Sequence, residues 1–261
     1  MAAVYVAGII SMPGYWKPGL LAAVMASGLV AAFGNIINDI FDIELDRKAK
    51  PFRPLPSGQV GLNAARIAAI SFAFITLAIS ALINIECLLI ASVAIVFLSF
   101  YTSVFKGFGY WGNVLVAAVG SLAFFYGAAA SGNLTSGWIP AIFAFLYHLI
   151  REIIKDMEDY SSDKEFGIQT GTVKYGMRLS KAITVIVIVF LVGISFIPFY
   201  AGIYKAGYLI VVLLGTDIPL VYIAIRLITA ENQNVYRFLS GLMKALMPLG
   251  ILAIFLGSRG F

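Results

Sequence analysis

Apolar runs separated by short polar breaks cover almost the whole chain. Mostly apolar segments lie near 19–42, 63–83, 87–105, 111–131, 137–155, 181–203, 207–228 and 239–257. At about 18 to 25 residues, each is long enough to cross the hydrocarbon core as a helix. A shorter run, Ala2 to Met12, stops at Pro13-Gly14. It lacks the basic n-region and small-residue cleavage site of a signal peptide, and reads as the remaining half of one more helix whose beginning is absent. The pattern predicts an all-α membrane protein, a bundle of nine transmembrane helices with the first truncated, forming a single domain over residues 1–261.

Composition agrees with the pattern. The 261 residues are 61% hydrophobic and 12% charged, with a mean hydropathy of +0.95, too little polar surface to cover a soluble globule of this size. Charge then orients the bundle. The breaks after spans 19–42, 87–105, 137–155 and 207–228, with their helix ends, hold 13 Lys and Arg, among them Lys50, Arg53, Lys106, Arg151 and Lys155; the alternate breaks hold two, Lys17 and Lys205. The positive-inside rule places the richer set in the cytoplasm of a multi-pass cell-membrane protein. The net charge of +5 is ascribed to topology and to anionic substrate or membrane lipid, and no soluble basic domain exists to grip nucleic acid. Cys87 stands alone, so neither a disulfide nor a cysteine metal site is supported.

Ten of the 13 acidic residues fall in two patches, Asp39 to Asp46 and Glu152 to Glu165. Asp39, Asp42 and Asp46 stand at i, i+3 and i+7, and Asp156, Asp159 and Asp163 repeat that spacing 117 residues later. At about 100° per residue each trio forms one helical stripe, with Asn35 and Glu152 a turn earlier on the same stripes. Adding 117 to the starts of spans 63–83 and 87–105 also lands near helix starts, as a parallel four-helix pseudo-repeat predicts. Two long loops follow the stripes. Ala49 to Leu62 contains Pro51, Pro54, Pro56 and Gly58; Tyr160 to Ser180 contains Gly167, Gly171 and Gly176. Both read equally as caps over the acids or as ordinary connections.

A solvated helix end is the bland reading of such acids. Carboxylates at a membrane span are costly, however, and topology gains nothing from the same acidic spacing twice. Two facing ladders of oxygen ligands instead fit Mg2+, which binds through one or two carboxylates plus substrate phosphates. Both stripes are then expected to act together on a diphosphate at the cytoplasmic face.

These residues resemble a known family. Asn38-Asp39-Ile40-Phe41-Asp42-Ile43-Glu44-Leu45-Asp46 fits the NDxxDxxxD signature of the UbiA superfamily of intramembrane prenyltransferases, and Lys155-Asp156-Met157-Glu158-Asp159-Tyr160-Ser161-Ser162-Asp163 fits its second aspartate motif. The string Arg151 to Asp159 is most similar to the archaeal branch that alkylates geranylgeranylglyceryl phosphate, with Lys50 to Pro54 and Tyr175-Gly176 as further shared elements. The resemblance implies that Asp39, Asp42, Asp46, Asp156, Asp159 and Asp163 hold metal, two Mg2+ ions in all, around the diphosphate of a prenyl donor. A carbocation-like prenyl group then passes to a lipid-like acceptor, or to a phenolic one of the hydroxybenzoate type. Asn35, Asn38, Lys50, Arg53, Lys106, Arg151 and Lys155 are the expected substrate-binding residues, with a purely topological role an equal reading for Lys50, Arg53 and Lys106. Lys155 reads as a phosphate ligand; Arg151 serves phosphate or neutralises neighbouring carboxylates.

Phe100, Tyr101, Phe124, Phe125 and Tyr126 are candidates to flank the cation, with ordinary packing the commoner fate of aromatic side chains. His148, the only histidine, is a candidate base for the acceptor hydroxyl, although a hydrogen-bonded structural histidine is the better expectation. The chain departs from the family in lacking the arginine-containing segment before the first helix, in Ser162 where Gly is frequent, and in Thr170-Gly171-Thr172 where Thr-Leu-Pro is usual. A secondary transporter is the leading non-enzyme reading; its ionisable groups would lie near the bilayer midplane rather than at one face.

Overall fold

The computed structural model describes residues 1–11, 18–100 and 107–259. The chain is all-helical there: α1 (Ala2–Ser11), α2 (Pro18–Phe41), α3 (Ile43–Ala49), α4 (Leu62–Ile83), α5 (Ile85–Phe100), α6 (Tyr110–Ala130), α7 (Trp138–Glu158), α8 (Tyr160–Glu165), α9 (Gly171–Tyr175), α10 (Met177–Ser195), α11 (Ile197–Tyr200), α12 (Ala206–Val212), α13 (Ile218–Ile228) and α14 (Gln233–Arg259). A π-turn, Leu213–Asp217, joins α12 to α13. Among the described residues seven segments are long and apolar enough to cross a membrane. α1 and α5 are shorter, so seven segments meet the length and composition of a crossing where the sequence pattern predicts nine.

The apolar residues sort into a lipid-facing belt and a packed interior. On α4, Ile67, Ile70 and Phe74 are exposed while Ala65, Ala69, Thr76 and Ser80 are buried. Because lipid tails are as apolar as leucine, helices here gain from close packing of small residues rather than from escaping water. Gly127 of α6 illustrates the fit: a Cβ there would lie 2.2 Å from the carbonyl oxygen of Val4 on α1.

The first four long helices, α2, α4, α5 and α6, pack on one another, as do α7, α10, α12, α13 and α14; α6 against α7 is the main seam between the two groups. The largest buried cluster belongs to the second group and includes Ile150, Ile153, Ile154, Met157, Leu220, Ile223, Leu239 and Met243. Both loops that follow the acidic patches lie at one end of the bundle. Lys48 sits 5.6 Å from the Phe166 ring centre, and the Gly109 amide donates to the Gln169 carbonyl at 3.1 Å. Gly109 has φ +63°, a left-handed conformation that glycine adopts without steric cost, and it turns the chain into α6 beside that loop.

Candidate active site

Neither aspartate trio lies on one continuous helix, contrary to the sequence expectation. α2 ends at Phe41 and α3 begins at Ile43, leaving Asp42 as the joint; α7 ends at Glu158 and α8 begins at Tyr160, leaving Asp159 as the joint. Hydrogen bonds of the i→i−4 type nevertheless run through both joints, from the Asp46 amide to the Asp42 carbonyl at 2.7 Å and from the Asp163 amide to the Asp159 carbonyl at 2.8 Å. Each trio is therefore a bent ladder. Asp39 and Asp156 stand on membrane helices, and Asp46 and Asp163, both buried, on the short helices of the loops.

Asparagines and arginines orient the acids. Asn38 Nδ2 donates to Asp42 Oδ2 at 3.1 Å. Asn113 of α6 donates from Nδ2 to Asp156 Oδ2 at 3.0 Å. Arg53 enters from the proline-rich loop, and its Nη1 donates to Asp39 Oδ1 at 3.2 Å and to Asp46 Oδ2 at 2.7 Å. That loop is thus a cap on the first ladder, and Arg53, a candidate substrate-binding residue, pairs with carboxylates here. Arg151 pairs through Nη1 with buried Glu152, the neutralising alternative, while its Nε is buried without a partner. Lys50 and Lys155 make no ion pair among the described residues. Lys106 and Tyr101 lie outside the described residues.

Both ladders open into one cavity of about 1380 Å³. Its mouth carries Asn35, Asn38, all six aspartates, Lys50, Arg53, Arg151, Glu152 and Lys155. Its depth is lined by apolar side chains that include Val30, Ala31, Ile90, Ala94, Leu98, Val116 and Val119. Among the described residues no three Asp, Glu, His or Cys side chains converge to cage an ion by themselves. An oxygen-only mouth of this kind fits Mg2+, which completes its shell with water and ligand phosphate.

The remaining candidates divide. Tyr126 lines the cavity and shares a 2.7 Å hydrogen bond with Ser80. Phe124 is instead buried beside Tyr204 and Tyr208, Phe125 stacks edge-on against Trp138, and Phe100 is exposed. His148 lines the cavity with its ring against Gly120, where a Cβ would come within 2.9 Å of it. It makes no hydrogen bond among the described residues, which disfavours the expected hydrogen-bonded structural role. Sequence reasoning missed Asn113, Ser240 and Lys244, all on the cavity wall. Asn113 is a lone polar residue within an apolar run, and Ser240 and Lys244 share another a helical turn apart, the one signal that marks them.

An acidic mouth over a deep apolar chamber, inside a bundle of membrane helices, defines an intramembrane enzyme for substrates with an anionic head and a hydrocarbon tail. The chain belongs to the UbiA prenyltransferase family, whose pattern it matches over residues 1–247. Digeranylgeranylglyceryl phosphate synthase of Saccharolobus solfataricus is 36% identical over 252 residues, 93% of this chain and 86% of that protein. A solved digeranylgeranylglyceryl phosphate synthase is 31% identical, covering 99% of this chain and 93% of the other with a TM-score of 0.82. A UbiA homologue from Archaeoglobus fulgidus bound to GPP and Mg2+ shares the fold at 18% identity, with a TM-score of 0.65 over 97% of this chain and 95% of that one.

Proposed function

We propose that the protein transfers a geranylgeranyl group from its diphosphate to geranylgeranylglyceryl phosphate, forming an archaeal membrane-lipid precursor. The observation that carries this reading is the single cavity shared by both ladders, polar at the mouth and apolar below. Its volume exceeds the roughly 300–1,000 Å³ of ordinary small-molecule pockets, as two long-chain substrates require. The similarity to digeranylgeranylglyceryl phosphate synthases supports this acceptor over a phenolic one.

In this reading Asp39, Asp42, Asp46, Asp156, Asp159 and Asp163 hold two Mg2+ ions with the donor diphosphate, Asn38 and Asn113 fixing two of the carboxylates. Bound Mg2+ supplies the positive charge that stabilises the departing diphosphate. Lys50 and Lys155 contact its oxygens. The apolar depth holds the prenyl chain and excludes water. The allylic C–O bond breaks with its electron pair leaving on diphosphate, the acceptor hydroxyl oxygen bonds to the allylic carbon, and His148 accepts the hydroxyl proton.

The same proposal takes α1 and α5 as crossings, giving nine helices in one domain. It treats α2–α6 and α7–α14 as parallel repeats, since the joints at Asp42 and Asp159 are separated by the 117 residues that separate the motifs, and it sets the mouth on the cytoplasmic side. The test is an assay of purified protein with geranylgeranyl diphosphate, Mg2+ and either geranylgeranylglyceryl phosphate or hydroxybenzoate. Product from the glyceryl phosphate is expected; product from hydroxybenzoate alone would move the protein to aromatic acceptors.

A further inference from the structure

Lys244 is the cation on the cavity wall that stands apart from both aspartate motifs and their loops. It belongs to α14, within a membrane-spanning segment, about 16 Å along the helix from Gln233 at 1.5 Å per residue. A lysine at such depth is costly unless it serves an ion or a polar cavity. Lys244 lines the cavity together with Ser240 one turn before it and Met247 nearly one turn after, one face of α14. Pro248 sits four residues on, and because proline has no N–H, the Lys244 carbonyl loses its usual helical partner. The helix continues through Pro248 but gives up one backbone hydrogen bond where it places the charge.

The register of α14 against α7 decides what Lys244 faces. Tyr147 donates its hydroxyl hydrogen to the Met243 carbonyl at 2.6 Å, a buried bond. Near the mouth, Gln233 donates to the Ser161 hydroxyl at 2.7 Å and Arg237 lies 3.6 Å from Glu158. The two helices therefore run antiparallel, and neighbours of the bonded pair, His148 and Lys244, line the same cavity at comparable depth. Arg151, one turn from Tyr147 toward the mouth, also lines it and holds its Nε buried without a partner. Among the described residues Lys244 has no ion pair. Lys244 thus joins Arg151, whose Nη1 is paired with Glu152 but whose Nε is free, and Lys155 as cations on the second half's wall.

We infer that Lys244, with Ser240 and Arg151, forms an anion subsite on the α7–α14 wall that binds the phosphate monoester of the acceptor and sets its hydroxyl toward His148. A phosphate there would accept from the Lys244 ammonium, the Ser240 hydroxyl and the Arg151 Nε–H, all donors. The aspartate ladders would repel the same group, so the site keeps acceptor phosphate and donor diphosphate apart by charge. This inference rests on the proposed acceptor.

Lys244→Met removes the charge from a membrane helix while keeping an unbranched apolar stem, a change the bilayer favours. With donor at saturation, the KM for geranylgeranylglyceryl phosphate is expected to rise about 10- to 100-fold, the loss of one hydrogen bond to a charged group. The donor KM should stay within about twofold, and the phosphate-free acceptor geranylgeranylglycerol should be used no worse than by the wild type. An unchanged acceptor KM, or a rise confined to the donor KM, overturns the subsite. In the unmodified protein, acetylation of Lys244 read by mass spectrometry should be slowed by geranylgeranylglyceryl phosphate and not by geranylgeranyl diphosphate; equal protection by both also overturns it. Wild-type protein inactive on geranylgeranylglyceryl phosphate would instead reject the proposed acceptor, a result visible before any variant is made.

Discussion

Asp42 and Asp159 are the same joint built twice. Their backbones stand at φ −88°, ψ 6° and φ −88°, ψ 1°, each the single residue between a long membrane helix and a short loop helix. These angles fall in the sparsely occupied bridge region that recurs at active sites. The joint residue keeps its own i→i−4 bonds on both sides while the helix is interrupted around it, so one carboxylate of each trio stays with the bundle and one travels with the loop.

Matched joints predict matched losses. Asp42→Asn and Asp159→Asn should each lower kcat/KM by about 100-fold or more, the effect of removing one group from a preorganised electrostatic site, while the protein stays monodisperse in detergent. Steady-state kinetics of the two variants checks this; a near-normal rate in either would make that ladder structural.

Arg53 joins Asp39 and buried Asp46 to the proline-rich loop. Arg53→Ala leaves Asp46 without its counter-charge, and the thermal midpoint should fall by the equivalent of about 1–3 kcal/mol, below the full cost of a wholly buried pair because Arg53 is partly solvated. Arg53→Ala/Asp46→Asn should recover much of that stability without recovering activity. A thermal-shift series on the two variants separates the outcomes.

The oxygen-only mouth predicts dependence on a hard divalent ion. Excess EDTA should abolish transfer and added Mg2+ restore it, with no stable metal retained by the protein alone, since among the described residues no three acids form a ready cage. Full turnover in EDTA would refute the metal reading.

His148 and Gly120 touch, so they should fail alike. His148→Gln is expected to lower kcat about 100-fold, within the range of general-base catalysis, with the donor KM little changed. Gly120→Ala, which puts a methyl into the imidazole's space, should reproduce much of that loss while the histidine remains. Normal turnover by His148→Gln would leave the ring a packing role.

Topology is open to labelling. Single cysteines in Ala49 to Leu62 and in Tyr160 to Ser180, in a Cys87→Ser background, should react from the cytoplasmic side, and one in Asn133 to Ser136 from the outside. Opposite reactivity of the two long loops would contradict the shared mouth.

The helices were legible because hydrocarbon length imposes itself on the sequence: expected starts at 63 and 111 fall within one residue of Leu62 and Tyr110. Polar starts were harder. α10 begins at Met177 and α14 at Gln233, ahead of the expected 181 and 239, because helix continues past the apolar boundary where polar groups meet water. The joints at Asp42 and Asp159 were invisible, since neither carries Gly or Pro and the local spacing remains helical. Repetition in the sequence singled out the six aspartates that line the cavity mouth. Their partners were not: Arg53 reaches Asp39 across 14 residues and Asn113 reaches Asp156 across 43, distances that only folding closes.

Because Asp39 and Asp156 are rooted in the bundle while Asp46 and Asp163 ride on α3 and α8, a ligand held by both tiers at once would brace surface segments against the membrane core. Occupancy should then be readable far from the chemistry, as slowed amide hydrogen exchange across residues 43–61 and 160–176 when donor and metal are present together. The site would report its own filling through the mechanical stiffness of its rim.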